Sequence, residues 1–190
     1  MPRRKRMDRQ TFQLPDRHRW QAKEGNQIFV ANKGDVRFEF PAGWVFDRTS
    51  GGKGKSVRFY DGDPPDDNIR LEVSVIHVPD PRAFSAPLAD VLDGSIRDIG
   101  ENCQRSKAFA MQLPQHNLAL LDLEYIDPVE KRPAHSLFCL ARGAGIHALI
   151  SLDYWPEDSS VALAAWEDVI GTLRLGEHLE HPFFGPEEKG

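Results

Sequence analysis

The chain has 190 residues, a formal net charge of −5 and a 40% hydrophobic share. It contains no apolar run near the roughly 18 to 20 residues that a membrane-spanning helix needs, which argues against a membrane-spanning protein. Its two cysteines, Cys103 and Cys139, argue against a disulfide-rich secreted scaffold and show no metal-ligand spacing. One domain with a short segment at either end is therefore expected.

The basic N-terminal segment differs in charge from the rest of the chain. Residues 1–25 carry eight basic and three acidic side chains, whereas residues 26–190 carry sixteen and twenty-six. No apolar segment follows the basic cluster Arg3, Arg4, Lys5 and Arg6, so no secretory signal is predicted. We expect a flexible arm over residues 1–25 and a cytoplasmic protein with free thiols.

The first predicted elements are strands. A hairpin is expected over residues 27–31 and 36–40, followed by strands at 56–60 and 68–78. In the last of these, Ile69, Leu71 and Val73 alternate with polar residues, which is typical of a strand with one face in the core.

A helix is then expected from Ser85, a good N-cap, to Gly100. Strands are predicted at 108–113, 118–127, 134–142 and 145–154, the last two joined by a turn at Gly143 and Ala144. The second helix covers residues 156–171 and leads into a short strand at 172–175. Its predicted buried stripe is Val161, Ala165, Trp166, Val169 and Ile170.

This element order predicts an α+β fold. Four strands, a helix, four strands, a helix and a strand bury their apolar faces best as a mostly antiparallel β-sheet sandwiched by helices. We expect a single domain over residues 26–176 and a C-terminal tail over residues 177–190.

Residues 49–56, TSGGKGKS, resemble a phosphate-binding loop. Gly54, Lys55 and Ser56 match the end of that motif, but Thr49 stands where the first glycine belongs. Such a loop must also lead into a helix, whereas residues 57–60 alternate like a strand. We therefore interpret this stretch as a lysine-bearing loop between strands.

The sequence offers weak signals for a metal. The carboxylates in residues 61–67, DGDPPDD, lack the glycine and the glutamate that complete a calcium loop. His178 and His181 are three residues apart but fit no zinc-protease pattern. His77, His135 and His147 are interpreted as edge or surface residues. No metal or cofactor is predicted.

A catalytic site is not indicated by any local pattern. No GxSxG nucleophile motif occurs, and neither cysteine has a nucleophile signature. Cys139 lies inside an apolar strand, where a small buried side chain is the expected role. No catalytic residue is predicted, and an enzymatic function is the less favoured interpretation.

Two stretches resemble the PsbP-like α/β/α sandwich superfamily. They are residues 38–44, FEFPAGW, and residues 166–175, WEDVIGTLRL. The superfamily includes the extrinsic PsbP protein of photosystem II, a Ran-binding nuclear transport factor and bacterial proteins of unknown role. The resemblance covers about residues 27–175 and implies an antiparallel sheet between helix layers. It also implies action by binding other proteins, although no Ran-binding motif carries over.

Three functional hypotheses follow. The favoured one is a non-enzymatic binding or adaptor domain in a bacterial cytosol, acting through protein–protein contacts as a monomer or a dimer. The second is binding of nucleic acid or an anionic surface through the basic cluster, although this arm also fits a solubilising role. The third is a small-ligand or hydrolytic pocket between sheet and helix, lined by Trp44, Tyr154 and Trp155.

Overall fold

A computed structural model describes residues 17–47, 56–78, 86–96 and 103–186. Its first half contains five strands and one helix. The elements are β1 (Asn26–Ala31), β2 (Val36–Pro41), β3 (Val45–Asp47), β4 (Ser56–Tyr60), β5 (Ile69–His77) and α1 (Leu88–Ser95). The short strand β3 was not predicted.

The second half contains five strands, a helix and a closing strand. The elements are β6 (Cys103–Arg105), β7 (Phe109–Gln112), β8 (Asn117–Ile126), β9 (Pro133–Gly143), β10 (Ile146–Tyr154), α2 (Ser159–Thr172) and β11 (Arg174–Leu175). A 3-10 turn at Pro156–Asp158 precedes α2. The order of elements matches the prediction except for the two short additional strands, β3 and β6.

The strands form two antiparallel sheets. The small sheet has the order β1-β2-β11, and the large one has the order β3-β4-β5-β10-β9-β8-β6, with β7 also paired to β8. Inside the large sheet the first half of the chain meets the second where β5 pairs with β10, with Ile69 opposite Tyr154.

The apolar core lies on both faces of the large sheet. One face packs against α2 and the small sheet, and its buried residues include Phe38, Phe59 and Ile150. The other face packs against α1 through Leu92 and Leu121. The predicted fold, a mostly antiparallel sheet sandwiched by helices, is confirmed.

A cluster of phenylalanines fills the space between the two sheets. Phe59 of β4 is fully buried, and its ring centroid lies 4.6 Å from Phe40, 5.1 Å from Phe29 and 5.8 Å from Phe38. Phe46 of β3 packs at 5.1 Å but is 38% exposed. Phe59 is therefore the centre of this cluster, where tilted and edge-on rings add to simple burial.

The hairpin between β9 and β10 turns one residue later than predicted. Gly143 pairs with Ile146, so the turn residues are Ala144 and Gly145, both with positive φ. This is the two-residue loop that best fits the twist of a hairpin. Gly143 is instead required within the strand, because a Cβ there would lie 2.9 Å from the Cβ of His116.

Helix α2 buries a different residue from the predicted one at its N-terminal end. Ala162, Ala165 and Val169 are buried, whereas Val161 is 54% exposed, so the prediction for Val161 was wrong. The small side chains of the two alanines let the helix lie close to β2, which the larger valine would prevent. Trp166 and Ile170 are only partly buried.

The polar face of β5 is paired across the sheet. Arg58 Nε donates to Glu72 at 2.6 Å, and Arg70 Nε donates to Asp153 at 3.1 Å. Burial opposes ionisation of Glu72, but the hydrogen bonds and charge of Arg58 outweigh it and lower the pKa of that carboxyl. Arg70 and Glu72 lie on the solvent-facing side of β5, as predicted. Their ion pairs with Asp153 and Arg58 on the neighbouring strands were not predicted.

The chain segments at the two ends of the domain contact each other. The indole NH of Trp20 donates to the carbonyl oxygen of Pro182 at 2.6 Å. Residues 176–179 continue from β11 along the β1–β2 turn, where the NH of Gly176 donates to Asp35 at 3.0 Å and that of Leu179 to Lys33 at 2.7 Å. Within the part of the chain described here, neither helix has the length and apolar character to cross a membrane.

Two histidines are buried. His116, between β7 and β8, has no hydrogen-bond partner on either ring nitrogen. His147 accepts from Arg142 Nε at 2.9 Å, so the prediction that it is an edge or surface residue was wrong. Burial lowers the pKa of both imidazoles, and the positive charges of Arg174 and Arg142 lower them further.

We expect the protein to lose stability as the pH falls below about 6.5, the unfolded pKa of histidine. Above that pH both histidines are neutral whether the chain is folded or not. Below it the unfolded chain takes up protons that folded His116 and His147 resist, so the free energy of unfolding declines until the lower folded pKa is passed. Urea unfolding between pH 7.5 and 5.5 measures this decline.

The variant His116→Phe isolates one of these contributions. A ring of similar size without nitrogens takes up no proton, so the pH dependence of the free energy of unfolding should become shallower. Because neither ring nitrogen of His116 makes a hydrogen bond, the replacement breaks none. His178→Gln, at an exposed position, is the control. An unchanged slope in His116→Phe would show that this histidine does not resist protonation in the fold.

Candidate protein-binding surface

The predicted aromatic cleft residues lie at one end of the sheet. Trp44 and Tyr154 belong to the same buried cluster in the main core. Trp155 is only partly buried and stacks under Arg132, whose guanidinium carbon lies 3.7 Å from the ring centroid. Two cavities lie elsewhere, so a ligand cleft at these three residues stays a prediction.

The basic cluster Arg3, Arg4, Lys5 and Arg6 lies outside the described residues, and its role also stays a prediction. Most of residues 49–56 lies outside them as well. Ser56, however, begins strand β4, so the stretch leads into a strand and lacks the helix that a phosphate-binding loop requires.

The described residues show no metal centre and an unreactive thiol. They contain no group of three or more His, Cys, Asp or Glu side chains placed to hold a metal ion. In the acidic turn, Asp61 Oδ1 accepts from the NH groups of Asn68 and Ile69 at 2.9 Å each, so that carboxylate holds the turn closed. Burial raises the pKa of the Cys139 thiol to about 12, which keeps it protonated and poorly nucleophilic.

A cavity of about 330 Å³ lies where the two end segments meet. Arg17, Arg19, His181, Phe184 and Gly185 line it. The NH of Arg19 donates to the carbonyl oxygen of Phe184 at 2.7 Å, so the backbone of one segment holds the other. His181 packs edge-on against Phe184, with ring centroids 6.3 Å apart.

The more distinctive surface is an apolar groove between α2 and the edge of the large sheet. Its cavity is about 160 Å³, and its lining includes Ser106, Phe109, Leu120, Asp122, Leu137 and Trp166. We call this set the α2–β7 groove. Exposed apolar side chains that collect in one place on a soluble protein commonly mark a binding site.

Strand β7 supplies the outer wall of the groove. Its register places Phe109 opposite Leu120 and Met111 opposite Leu118, on the face that packs against α2. All four residues of β7 are exposed, and Phe109 is 53% exposed. Phe109 and Met111 therefore extend the apolar surface of the sheet beyond the area that α2 covers.

Helix α2 supplies the opposite wall. Trp166 packs against the core with part of its ring and borders the groove with the rest. Leu163, 44% exposed, lies one turn earlier on the same side of the helix. A tryptophan at the edge of an apolar surface is the residue type most enriched in energetically dominant interface positions.

A β-bulge separates β6 from β7. Arg105 pairs with Leu123 and Phe109 with Leu120, so residues 106–108 oppose only residues 121 and 122. The additional residue bends the edge strand and ends the β6 pairing. Ser106 and Asp122 border the groove at this bend, where the NH of Asp122 donates to the hydroxyl oxygen of Ser106 at 2.9 Å.

The groove has an acidic end. Asp122 lies on the same face of β8 as Glu124. Burial raises the pKa of Tyr154, and the negative charges of Asp122 and Glu124 raise it further, which places these carboxylates near its phenol. His135 stacks on Tyr154 with ring centroids 5.2 Å apart. Two carboxylates therefore lie on this face between the groove and Tyr154.

Sequence reasoning found the components of this surface without assembling them. Trp166 was predicted on the helix stripe and residues 108–113 as a strand, but nothing in the sequence showed that they approach each other. The alternation of Phe109, Met111 and Leu113 along an uncharged strand is the signal that was available. The strand itself was predicted, but its place at an edge, paired only with β8 among the described residues, was not.

The family comparison covers most of the chain. A family model described as Alr1449 matches residues 27–179. A protein of Nostoc sp. described as uncharacterized protein alr1449 is 31% identical over 179 residues, which is 93% of this chain and 91% of the relative.

Solved structures share the fold at low sequence identity. Cyanobacterial PsbP (CyanoP) from Synechocystis sp. has a TM-score of 0.59 at 14% identity, covering 81% of this chain and 94% of its own. The Ran-binding protein Mog1p from Saccharomyces cerevisiae has a TM-score of 0.52 at 10% identity, covering 84% and 98%. LpqN of Mycobacterium tuberculosis, involved in cell envelope biogenesis, has a TM-score of 0.52 at 13% identity, covering 79% and 90%. The PsbP-like fold expected from the sequence is confirmed.

Proposed function

Since the chain belongs to the Alr1449 family and has a PsbP-like fold, we propose that it is a binding or adaptor domain and not an enzyme. It acts by contacting another protein through the α2–β7 groove. The observation that carries this proposal is the meeting of Phe109 and Trp166 across an open apolar groove at the edge of the sheet.

The composition of the groove fits a protein partner. Interfaces combine an apolar centre, rich in aromatic residues and methionine, with a polar rim. Phe109, Leu120 and Trp166 provide that centre, Met111 is exposed farther along β7, and Ser106 and Asp122 provide polar groups at its end. The likeness to a Ran-binding protein supports the proposal only by analogy, because one fold hosts many functions.

We place this activity in the cytoplasm of a bacterial cell. Support comes from the cysteine count, because a chain with two cysteines has no disulfide framework of the kind that oxidising compartments favour. Fractionation of source cells, with immunodetection of the chain in each fraction, tests the compartment: recovery with the cytoplasmic fraction is expected, and recovery with the periplasm or the envelope would overturn this assignment.

The proposal predicts that Trp166→Ala weakens partner binding by about 30-fold, the effect of losing a dominant interface tryptophan. A photo-crosslinking amino acid at position 109 in source cells should capture a protein partner, and the Trp166 change should abolish that capture. The same crosslinker at Val129, which is apolar and 79% exposed but lies in a turn away from the groove, is the matched control. Captured proteins are identified by mass spectrometry and then remade for affinity measurements.

Loss of binding must be separated from loss of folding. Phe109→Ser changes a side chain that is more than half exposed, so it should leave the unfolding midpoint close to that of the wild type while weakening binding. Equal crosslinking from positions 109 and 129, or a partner unaffected by both groove variants, would exclude the groove. Binding lost only on deletion of residues 1–25 would assign the contact to the basic arm instead.

A further inference from the structure

The outer edge of β7 has backbone hydrogen-bonding groups that β8 does not use. The NH of Leu113 donates to the carbonyl oxygen of His116 at 3.0 Å, which fixes the pair of residues whose backbones face each other there. In an antiparallel ladder such pairs alternate, so Phe109 and Met111 bond inward to β8. The NH and carbonyl groups of Ala110 and Gln112 therefore point away from the sheet.

Among the described residues, no strand pairs with this outer edge of β7. Edge strands of soluble proteins are commonly blocked by charged side chains, by proline or by a covering element. Phe109–Gln112 carries no charge and no proline, and all four residues are exposed. The bulge at residues 106–108 interrupts pairing at one end only. An extended segment can therefore bond to Ala110 and Gln112 over the length of β7.

The side chains around this edge restrict the sequence of such a segment. A strand added outside β7 places alternate side chains beside Phe109 and Met111, on the groove face. Apolar residues at every second position suit those neighbours. At the bulge, Asp122 presents a carboxylate to the groove, and the body of the protein carries sixteen basic and twenty-six acidic residues. A lysine or arginine at that end would meet complementary charge.

We propose that the partner protein binds by an extended segment that adds to β7 as a further strand of the large sheet. The segment has apolar side chains at alternate positions and a basic residue directed toward Asp122. This inference rests on the proposed function, since it specifies how the partner occupies the groove. Backbone bonds supply affinity in this mode, and the alternate side chains supply selectivity.

A displayed library of random ten-residue peptides is the probe for this proposal, screened against the full chain. Enriched peptides should show apolar residues two apart and a lysine or arginine near one end. Asp122→Asn should remove the preference for the basic residue and weaken an enriched peptide several-fold. Apolar residues spaced three and four apart would indicate a docked helix and overturn the proposal, as would a library with no enriched peptide.

A proline at position 110 then tests the backbone bonds directly. Ala110→Pro removes an NH that faces outward and spares the β8 ladder, as proline is tolerated on edge strands with that orientation. It should weaken an enriched peptide at least tenfold, whereas Ala110→Ser, which keeps the NH, should not. In amide exchange, Ala110 and Gln112 should be unprotected in the free protein and protected by the peptide.

The two proposals fail in different ways. If Ala110→Pro binds the partner with wild-type affinity while Trp166→Ala binds it more weakly, the groove binds its partner by side chains alone and strand addition is wrong. If neither change affects binding, the groove itself is excluded. The unfolding midpoint of Ala110→Pro, measured alongside, shows that the variant is folded.

Discussion

Replacing Phe59 with alanine is expected to lower the free energy of unfolding by about 4 kcal/mol, in the range found for large buried aromatic residues. Phe59 is fully buried and touches rings from both sheets, with centroids of Phe29, Phe40 and Phe46 within 4.6 to 5.1 Å. Truncation would leave a cavity at the junction of the two sheets, and each tilted or edge-on ring pair adds its own loss. Urea denaturation followed by tryptophan fluorescence measures the change.

Phe46→Ala is the matched control for this prediction. It removes the same side chain from the same cluster, but Phe46 is 38% exposed and belongs to the three-residue strand β3. Its loss should cost less than half as much as that of Phe59, since less apolar area returns to water. Equal losses in the two variants would mean that the small sheet is not packed over Phe59 as the structure shows.

The variant Gly176→Ala is expected to cost about 3 kcal/mol, from left-handed backbone strain and overpacking together. Gly176 has a φ of +67°, and a Cβ there would lie 2.2 Å from the Cβ of Ala144 in the β9–β10 turn. One of the two segments must shift to accommodate it. The shift would loosen the bond from the Gly176 NH to Asp35 and the docking of residues 176–179.

A double variant separates the two causes. Ala144→Gly removes the atom that the new methyl group would meet, so Gly176→Ala should cost less in an Ala144→Gly background than in the wild type. The variant Ala144→Gly alone is the reference, because position 144 itself has a positive φ and gains from glycine. The left-handed strain at position 176, about 1 to 2 kcal/mol, should remain. Gly171→Ala, inside α2 with nothing near its Cβ position, should instead stabilise by up to about 1 kcal/mol. An equal cost of Gly176→Ala in the two backgrounds would contradict the close approach of the two segments.

The long periodic elements were predictable because their patterns reflect one local rule. Alternation in β5 identified Ile69, Leu71 and Val73 as core residues, and the structure buries all three. The strand 56–60 was predicted with the bounds that the structure shows. In such segments the hydrophobic pattern and the intrinsic preference of the residues agree, so no tertiary information is needed.

The errors occurred where distant contacts decide the outcome. Gly143 looks like a turn residue, but the approach of His116 requires a glycine inside the strand. Val161 and Ala162 are neighbours on a helix, and only the distance to β2 selects alanine for burial. Strands β3 and β6 have three residues each, too few for a period to show.

The candidate surface was the least predictable part for the same reason. An apolar alternating strand reads alike whether it is central or at an edge, and the position of β7 depends on the pairing of β8 with β9. Burial of His147 likewise follows from its place beside Arg142 on β9. Functional surfaces arise from the juxtaposition of elements, which the sequence of each element does not contain.

The pairing of β5 with β10 also shapes how the chain reaches this fold. Most other neighbours in the large sheet follow each other closely along the chain, so their pairing closes short loops and can form early. The seam between β5 and β10 joins Ile69 to Tyr154 across the whole second half of the domain. Non-local pairing of this kind is slow. Until the seam closes, two meanders with open central strands coexist in one molecule, and those strands are the surfaces on which a crowded, half-folded population would aggregate.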